Sequence, residues 1–360
     1  MSGYSVAIVG VTGAVGTELL QCLERRNFPI SEIRLLASKR SVGSTVRFRN
    51  AERLVEELAE PSLKGVDIAF FAVDNETART YVPIAVRHGA VVIDNSSAYR
   101  LSPDIPLIIP EINPEAVRRH KGLIANPNCC AIIAITPLWP IHKKYKIRRL
   151  IISTYQAASG AGAPAMNELR ESTKAFLEGQ TYTPKVLPHP YAFNVFNHDS
   201  AVDLDSGYNG EELKIVAETR KIFSDPHIAI SATCVRVPVL RAHAESLTFE
   251  CVNPISPADV RALLEDAPGV KVVDDRRKNY FPMPIDASNQ DKILVGRIRQ
   301  DTSDPSGRSI SMFVAGDQLL KGAALNAVQI AELFCAQKNS AAQTNKNEVL
   351  NATRQSLKTI

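Results

Sequence analysis

The sequence contains no apolar run of membrane-spanning length, and it enters an apolar segment at once, without the charged start of a signal peptide. We therefore expect neither a membrane span nor a cleaved leader. The sequence also lacks a strong net charge, because its 42 Lys and Arg residues are nearly balanced by 38 Asp and Glu residues, which gives a net charge of +4. Nucleic-acid binding usually demands a clustered basic face, so we expect no nucleic-acid partner, and the mild positive balance suits a small anionic substrate.

The cysteines lack the paired Cys-x-x-Cys spacing of a zinc site and the pattern of a secreted disulfide scaffold. The six are Cys22, Cys129, Cys130, Cys234, Cys251 and Cys335. We therefore expect no metal, and a reducing, cytoplasmic location follows as the default.

The length of 360 residues favours two domains. In residues 1–128, apolar strands alternate with helical segments, which predicts a Rossmann-type, doubly wound α/β domain with a parallel sheet. The predicted strands are Tyr4–Gly10, Ile33–Ala37, Asp67–Val73 and Ala90–Asp94, and the predicted helices are Val11–Arg25 and Thr77–His88.

Residues 129–317 have a mixed pattern, which predicts an α+β second domain. Its predicted elements are a buried helix at Cys130–Pro137, strands at Arg149–Gln156, Ala232–Pro238 and Glu245–Val252, a helix at Pro164–Glu178 and an extended loop over residues 180–210. An amphipathic helix at Gln318–Phe334, within a C-terminal segment of about residues 318–337, is predicted to pack back on the first domain. Residues 338–360 form a polar tail whose composition is compatible with disorder.

A glycine-rich turn joins the first strand to the first helix. Gly10, Gly13 and Gly16 give the spacing GxxGxxG. Glycines let a backbone turn tightly and approach a pyrophosphate, whose charge is stabilised at the N-terminus of the following helix. The alternative is a turn without a ligand, but the position between a strand and a helix favours a dinucleotide site.

The end of the second strand bears on the choice of cofactor. An NAD site usually has an acidic residue there for the ribose 2′-OH, but this chain has Ser38, Lys39, Arg40 and Ser41. Two cations and two hydroxyls suit a 2′-phosphate, which favours NADP over NAD. Taken alone, the segment is also typical of a solvated basic loop.

A pair of cysteines, Cys129 and Cys130, follows Asn126-Pro127-Asn128 and precedes an apolar helix. A helix N-terminus stabilises a thiolate, which is the reactive form of a nucleophilic cysteine. Most cytosolic cysteines are buried and structural, but the flanking proline and asparagines indicate a tight turn that fixes a reactive thiol.

Two other segments combine polar groups with unusual backbone. In the first, Arg236 could bind a carboxylate through two hydrogen bonds and His243 could transfer a proton, although a lone histidine is more often structural. In the second, Gln156 ends a strand that runs into a small-residue loop containing Ser159 and Gly160. Such a loop allows a ligand to approach the backbone.

Together these segments resemble the aspartate-semialdehyde dehydrogenase family, in order, over residues 4 to 335. The matching pieces are the glycine turn, NPNC, STYQAxSGAG, the EExK segment at Glu211 to Lys214, RVPVxxxH and the closing GDQLLKGAALNAVQIAE segment. One departure is Cys130, since members usually carry Ser or Thr after the nucleophile.

The resemblance implies a role for each site residue. Cys129 would be the acyl-thioester nucleophile, His243 the general acid/base and Gln156 a group that positions the substrate. Arg236 would bind the substrate α-carboxylate and Glu211 its ammonium, while Arg100, Asn128 and Lys214 would bind phosphate. The NADP site would be lined by Gly10, Thr12, Gly13, Ala14, Val15, Gly16, Ser38, Arg40, Ser41, Ser159, Gly160 and Gln318.

The family's reaction is the reversible reductive dephosphorylation of L-aspartyl 4-phosphate to L-aspartate 4-semialdehyde, in the biosynthesis of lysine, diaminopimelate, threonine, methionine and isoleucine. The resemblance also implies a homodimer formed through the second domain, with a dimer of dimers as a larger alternative. N-acetyl-glutamyl-phosphate reductase is the nearest rival, but its substrate has no ammonium to pair with Glu211 or Glu212. A non-catalytic NADP-binding relative is the other rival, and the presence of both Cys129 and His243 argues against it.

Overall fold

The first half of the chain forms a parallel sheet edged by one antiparallel hairpin. The computed structural model describes residues 3–338. Its strands are β1 (Tyr4–Val9), β2 (Ile30–Ala37), β3 (Thr45–Phe48), β4 (Ala51–Glu57), β5 (Ile68–Phe71), β6 (Val91–Asp94) and β7 (Leu123–Ala125). Across the sheet they lie in the order β3-β4-β2-β1-β5-β6-β7. Only the pair β3–β4 is antiparallel. β1 is buried on both faces, as expected for a parallel strand between helical layers.

The hairpin β3–β4 was not predicted, because its strands are mostly polar and exposed at the edge of the sheet. Its turn places Arg49 and Asn50 at φ of 47° and 62°, the left-handed backbone that a tight hairpin needs. The sequence analysis assigned nothing there, since no glycine marks the turn.

The second half of the chain forms a mixed seven-stranded sheet in the order β12-β13-β14-β11-β8-β10-β9. Its strands are β8 (Ile147–Gln156), β9 (Phe196–Asn197), β10 (Ala229–Arg236), β11 (His243–Cys251), β12 (Val270–Val272), β13 (Ile293–Gln300) and β14 (Ser309–Gly316). The pairs β8–β10 and β12–β13 are parallel, and the other pairs are antiparallel. The predicted fold class, a Rossmann-type domain with an α+β second domain, is confirmed.

The α-helices are α1 (Ala14–Arg25), α2 (Asn75–Arg87), α3 (Cys129–Tyr145), α4 (Gly162–Leu177), α5 (Gly210–Phe223), α6 (Pro257–Glu265) and α7 (Pro284–Ala287), followed by helical residues 325–338. The predicted end of α3 at Pro137 is wrong, because the helix continues through Pro137 and Pro140. Its side chains are buried almost all round, so packing on its neighbours stabilises it despite the prolines.

No helix of the described residues is long and apolar enough to cross a membrane.

The C-terminal helix starts later than predicted. Asp317 accepts hydrogen bonds from the N–H groups of Leu319 and Leu320, and the first turn, Leu320–Ala324, is a π-helix. Gln318 therefore precedes the helix. Side chains of this helix pack in one buried core with side chains of α1 and of strand β1 in the first sheet. Apart from Lys338, the predicted polar tail lies outside the described residues.

Candidate active site

A cavity of about 470 Å³ lies between the two halves of the molecule and collects side chains from both. The predicted site residues that line it are Val15, Arg100, Asn128, Cys129, Gln156, Ser159, Gly160, Glu211, Lys214, Arg236 and Gln318. A larger open groove of about 1550 Å³, near Arg25 and Arg261, contains none of the predicted residues. We therefore take the smaller cavity as the candidate active site.

Cys129 is the first residue of α3 and the only partly exposed cysteine among the described residues. The side chain of Asn128 caps this helix by accepting hydrogen bonds from the N–H groups of Cys130 and Ala131, at 2.9 and 3.2 Å. A hydrogen bond from the Cys130 thiol and the neighbouring His243 together hold the pKa of Cys129 well below its usual value, although burial opposes them. Burial raises the pKa of Cys130, so Cys129 is the thiol that can meet a substrate as a thiolate.

His243 lies beside Cys129, at the start of β11, and is fully buried. Its Nδ1 accepts a hydrogen bond from the N–H of Ala157 at 3.0 Å, so the neutral ring carries its proton on Nε2. Nε2 has no partner among the described residues. One ring nitrogen of His243 and the two thiol sulfurs of Cys129 and Cys130 all lie within 4.8 Å of one another.

Gly160 covers this histidine closely. A Cβ atom at position 160 would lie 2.8 Å from Cε1 and 2.9 Å from Nε2 of His243. Only glycine therefore leaves the imidazole in place.

Glu211, at the N-terminus of α5, is the centre of a hydrogen-bonded group. Asn128 Nδ2 and Gln156 Nε2 donate to its Oε1 at 2.8 and 3.3 Å, and Lys214 Nζ lies 3.4 Å from its Oε2. Burial would raise its pKa, but the nearby charges of His198 and Lys214 and the hydrogen bond from Asn128 lower it to about 2. Glu211 is thus a fixed anion, and because Lys214 follows it by three residues, the two share one face of α5.

Arg236, at the end of β10, is 4% exposed and points into the cavity from the other side. Its Nε and one NH2 group donate to Asp199 Oδ1 at 3.2 and 3.0 Å, and the same NH2 group lies 2.9 Å from His198 Nε2. The other terminal nitrogen has no partner among the described residues. Buried N–H groups are nearly always paired, so this one indicates a place for an acceptor supplied by a ligand.

The chain between Arg236 and His243 does not continue as a regular strand. β10 ends at Arg236, β11 begins at His243, and Ala242 adopts a φ of 70°. Arg236 and His243 are seven residues apart, an odd spacing that would put them on opposite faces of a regular strand, and the break allows both side chains to lie near Cys129.

Arg100 reaches the same cavity but is already paired. It donates to Glu218 Oε1 at 3.2 Å and to the carbonyl of Asn95 at 2.7 Å, while its Nε has no partner among the described residues. The other oxygen of Glu218 accepts from the backbone N–H of Asn128 at 2.6 Å. Arg100, Asn128 and Lys214 therefore meet at one wall of the cavity, each held by a carboxylate.

The glycine turn fits a dinucleotide. Gly10 has a φ of 88°, and a Cβ there would lie 2.3 Å from the carbonyl oxygen of Ala72. A Cβ on Gly16 would lie 2.1 Å from the carbonyl oxygen of Gly10, so both positions need glycine. No side chain caps α1 at Gly13, and its first turn has no acidic residue. The N–H groups at Ala14 and Val15 are thus available to a phosphate.

The remaining predicted cofactor residues lie outside the cavity lining. They are Gly10, Thr12, Gly13, Ala14, Gly16, Ser38, Arg40 and Ser41. Thr12 Oγ1 and Ser41 Oγ are 3.3 Å apart, so the glycine turn and the end of β2 adjoin. Ser38 and Arg40 are exposed beside them. On the cavity side, Gln318 contacts the Ser159 hydroxyl and accepts from the N–H of Ala242 at 3.0 Å.

Several residues of the site were missed by the sequence analysis. His198 and Asp199 lie in the loop predicted over residues 180–210, which has no periodic pattern to single them out. Glu218 could have been found, because it follows Glu211 by seven residues and so lies on the same face of α5.

Comparisons with known proteins identify the family to which the chain belongs. The sequence matches the family described as "Semialdehyde dehydrogenase, NAD binding domain" over residues 5–120 and "Semialdehyde dehydrogenase, dimerisation domain" over residues 138–321. Proteins named aspartate-semialdehyde dehydrogenase from Synechocystis sp. and Aquifex aeolicus are each 49% identical to it over 333 and 337 residues, covering 92% of this chain and 98% of each relative. A crystal structure of aspartate semialdehyde dehydrogenase II from Vibrio cholerae complexed with ASA has a TM-score of 0.90 at 41% identity, covering 93% of this chain and 99% of that one.

Proposed function

Because the chain belongs to the aspartate-semialdehyde dehydrogenase family, we propose that it catalyses the reversible, NADPH-dependent reductive dephosphorylation of L-aspartyl 4-phosphate to L-aspartate 4-semialdehyde. The observation that carries the proposal is the pairing of Cys129 with His243 between an arginine and a fixed anion. Arg236, which has an unpartnered nitrogen, and the ionised Glu211 line the same cavity as Cys129, and His243 lies directly beside Cys129 with its Nε2 unpartnered. That charge pattern matches a short amino acid with an α-carboxylate and an α-ammonium.

The nucleophile in this mechanism is the Cys129 thiolate, which attacks the carbonyl carbon of the acyl phosphate. The carbon–sulfur bond forms as the bond to phosphate breaks, leaving a thioester on the enzyme. NADPH, when bound, supplies the hydride that reduces this thioester. The carbon–sulfur bond then breaks, and Cys129 leaves as a thiolate with release of the semialdehyde.

His243 acts on the oxygen of the reacting carbonyl. Its Nε2–H is the free donor of the ring, because the N–H of Ala157 occupies the other ring nitrogen. The group therefore stabilises the oxyanion by hydrogen bonding and exchanges a proton with it as the tetrahedral species forms and collapses. Gln156, which is bonded to Glu211, would position the substrate beside it.

The other residues divide between substrate and cofactor. Arg236 binds the α-carboxylate, Glu211 the ammonium, and Arg100, Asn128 and Lys214 the phosphate. NADP binds along the glycine turn, with the pyrophosphate at the N-terminus of α1 and the 2′-phosphate near Ser38, Arg40 and Ser41. The uncapped helix and the required glycines support this fit.

We propose that the catalytic unit is a cytoplasmic homodimer. In each subunit, residues 1–128 and the C-terminal helix form the NADP-binding domain, and residues 129–317 form the catalytic and dimerisation domain. A match to a dimerisation domain over residues 138–321 supports the dimer. Ile151 and Tyr155 of β8 are partly exposed on the open face of the second sheet, which suits an interface. Six free thiols suit a reducing compartment. A dimer of dimers is the larger assembly to test.

The function is tested by following NADP reduction with L-aspartate 4-semialdehyde as substrate. We expect activity that depends on inorganic phosphate. N-acetyl-glutamate semialdehyde should be a poor substrate, because its acylated nitrogen has no charge for Glu211. Faster turnover of the acylated compound would instead assign the chain to the reductase of N-acetyl-glutamyl phosphate.

Cofactor choice is expected to depend on Arg40. Arg40→Ala should weaken NADPH binding by about 10-fold or more, the effect of one charged hydrogen bond, and leave NADH binding nearly unchanged. Fluorescence titration with both cofactors measures this. Arg87→Ala, an exposed substitution at the end of α2, is the matched control. Equal losses for NADPH and NADH would contradict a 2′-phosphate role.

Glu211 and Lys214 are expected to bind different substrates, the semialdehyde and inorganic phosphate respectively. Glu211→Gln should raise the KM for the semialdehyde, because it removes the fixed anion while Asn128 and Gln156 still hold the side chain. Lys214→Leu should act mainly on the KM for phosphate. Initial rates with each substrate varied in turn separate the two, with Glu178→Gln at the exposed end of α4 as the control. If both variants changed the same KM, this division of roles would be wrong.

A further inference from the structure

Asp199 holds the guanidinium of Arg236 at a single oxygen atom. Both the Nε and one NH2 group of Arg236 donate to Asp199 Oδ1, at 3.2 and 3.0 Å. Two hydrogen bonds that meet at one oxygen let the guanidinium rotate about that atom, so they do not fix the direction of its unpartnered nitrogen. A second anchor is needed if that nitrogen is to meet a ligand in one orientation.

His198 supplies that second anchor. Its Nε2 lies 2.9 Å from the NH2 group of Arg236, and because an arginine can only donate, the ring accepts there. The backbone of His198 is fixed as well, since its N–H donates to the carbonyl of Cys234 at 2.9 Å and the preceding strand β9 pairs with the end of β10. The imidazole lines the active-site cavity, and its side chain is only 11% exposed.

His198 can accept from Arg236 only as a neutral ring. Burial lowers the pKa of His198, while the charges beside it oppose one another, because Glu211 and Asp199 favour the charged ring and Arg236 and Lys214 disfavour it. The ring is therefore neutral near pH 7, and its charge acts on Glu211 only at the acid pH where that carboxyl titrates. A neutral acceptor holds the guanidinium without neutralising the charge that attracts a carboxylate ligand.

The other ring nitrogen connects His198 to α5. In a neutral ring whose Nε2 accepts, Nδ1 carries the proton, and Ser200 Oγ lies 3.1 Å from it. The backbone N–H of Ser200 is 3.2 Å from the same nitrogen, but the charged donor of Arg236 is closer to its own acceptor and forms the stronger bond. Ser200 Oγ in turn donates to Asn209 Oδ1 at 3.3 Å and accepts from the N–H of Glu211 at 3.0 Å. A continuous set of hydrogen bonds therefore joins Arg236 to the helix end that carries Glu211.

We propose that His198 is a positioning residue that sets substrate specificity, by holding the Arg236 guanidinium in a fixed direction relative to Glu211. The inference rests on the proposed function, in which Arg236 binds the α-carboxylate of the substrate and Glu211 its α-ammonium. Those two groups are attached to one carbon atom, so a site that recognises both must keep its own two charges in a fixed arrangement. His198 acts on the substrate through Arg236.

Two aldehydes test this role in the full chain. They are L-aspartate 4-semialdehyde and 3-aminopropanal, which is the same molecule without its α-carboxylate. His198→Leu should lower kcat/KM for the semialdehyde by about 10-fold, through KM, and leave kcat/KM for 3-aminopropanal nearly unchanged. His198→Gln keeps a hydrogen-bond acceptor and should restore most of the loss. His227→Leu, at an exposed histidine between α5 and β10, is the matched control.

A general structural role for His198 would give a different result. Equal losses for both aldehydes in His198→Leu, or an unchanged KM for the semialdehyde, would overturn the proposal. Thermal unfolding of each variant shows whether the fold is retained. If His198→Leu does not fold, Ser200→Ala removes the next hydrogen bond in the set and should raise the same KM by about 3-fold.

A binding measurement separates this inference from the proposed function. L-2-aminobutyrate has the α-carboxylate and the α-ammonium but no aldehyde, so its protection of Cys129 against iodoacetamide measures recognition without turnover. Half-protection should need about 10-fold more of this amino acid in His198→Leu than in the parent protein or in His198→Gln. Equal protection in all three proteins, or none in the parent, would overturn the inference. A parent protein that showed the expected protection but did not oxidise the semialdehyde would refute the proposed function and leave this inference standing.

Discussion

Replacing Cys129 with alanine is expected to lower kcat for the semialdehyde by about 10⁴-fold or more, since loss of the nucleophile removes the covalent route altogether. The substitution keeps the Cβ atom and removes only the sulfur from a partly exposed position. We therefore expect the fold and NADPH binding to survive. Steady-state kinetics and cofactor titration measure the two properties separately.

The control for this prediction is Cys251→Ala. Cys251 ends β11, at the far end of the strand from His243, and its thiol is buried. We expect the Cys251→Ala substitution to lower the stability of the protein and to leave kcat unchanged. Mass spectrometry after brief alkylation of the parent protein should find the label on Cys129, and preferential labelling of Cys130 would refute the assignment of the nucleophile.

Arg236→Leu is expected to raise the KM for the semialdehyde by about 10- to 100-fold, the effect of losing charged hydrogen bonds to a carboxylate. In the parent protein, Asp199 holds the guanidinium through two of its nitrogens and leaves a third for the ligand. Affinity for NADPH should not change, because the glycine turn and the end of β2 are untouched. Initial rates with the semialdehyde varied, and a separate cofactor titration, test both statements.

Two further variants separate charge from geometry at this position. Arg236→Lys keeps the charge but lacks the forked donor pair, so it should recover only part of the loss. Asp199→Asn keeps the arginine and weakens its anchor, so it should raise the KM less than Arg236→Leu does. If Arg236→Leu altered NADPH affinity and left the KM for the semialdehyde unchanged, the carboxylate role would have to be abandoned.

Prediction from the sequence was strongest where function follows from neighbouring residues. The glycine turn, the cysteine at a helix start and the pairing of Glu211 with Lys214 all depend on local backbone geometry, and the structure has each of them. Where prediction failed, the local signal was misleading. The prolines in α3 suggested an early end, but burial of the helix outweighed them.

The elements were easier to predict than the contacts between them. Arg100, Asn128 and Lys214 were grouped as cations and amides for phosphate, but their binding to Glu218 and Glu211 appears only when α5 packs beside α3. Likewise, the anchor of Arg236 comes from a loop without regular structure.

The sequence by itself determined the class of fold, the family and the identity of the reacting groups, because spacing along the chain sets which residues share a turn, a helix end or a face. Only the tertiary structure decided how those groups are charged. The pKa of Cys129 is lowered while that of Cys130 is raised, and the pKa of Glu245 is raised while that of Glu211 is lowered. The physical reason is that burial and the partners contributed by distant segments set the free energy of a charge, and neither can be read from neighbouring residues.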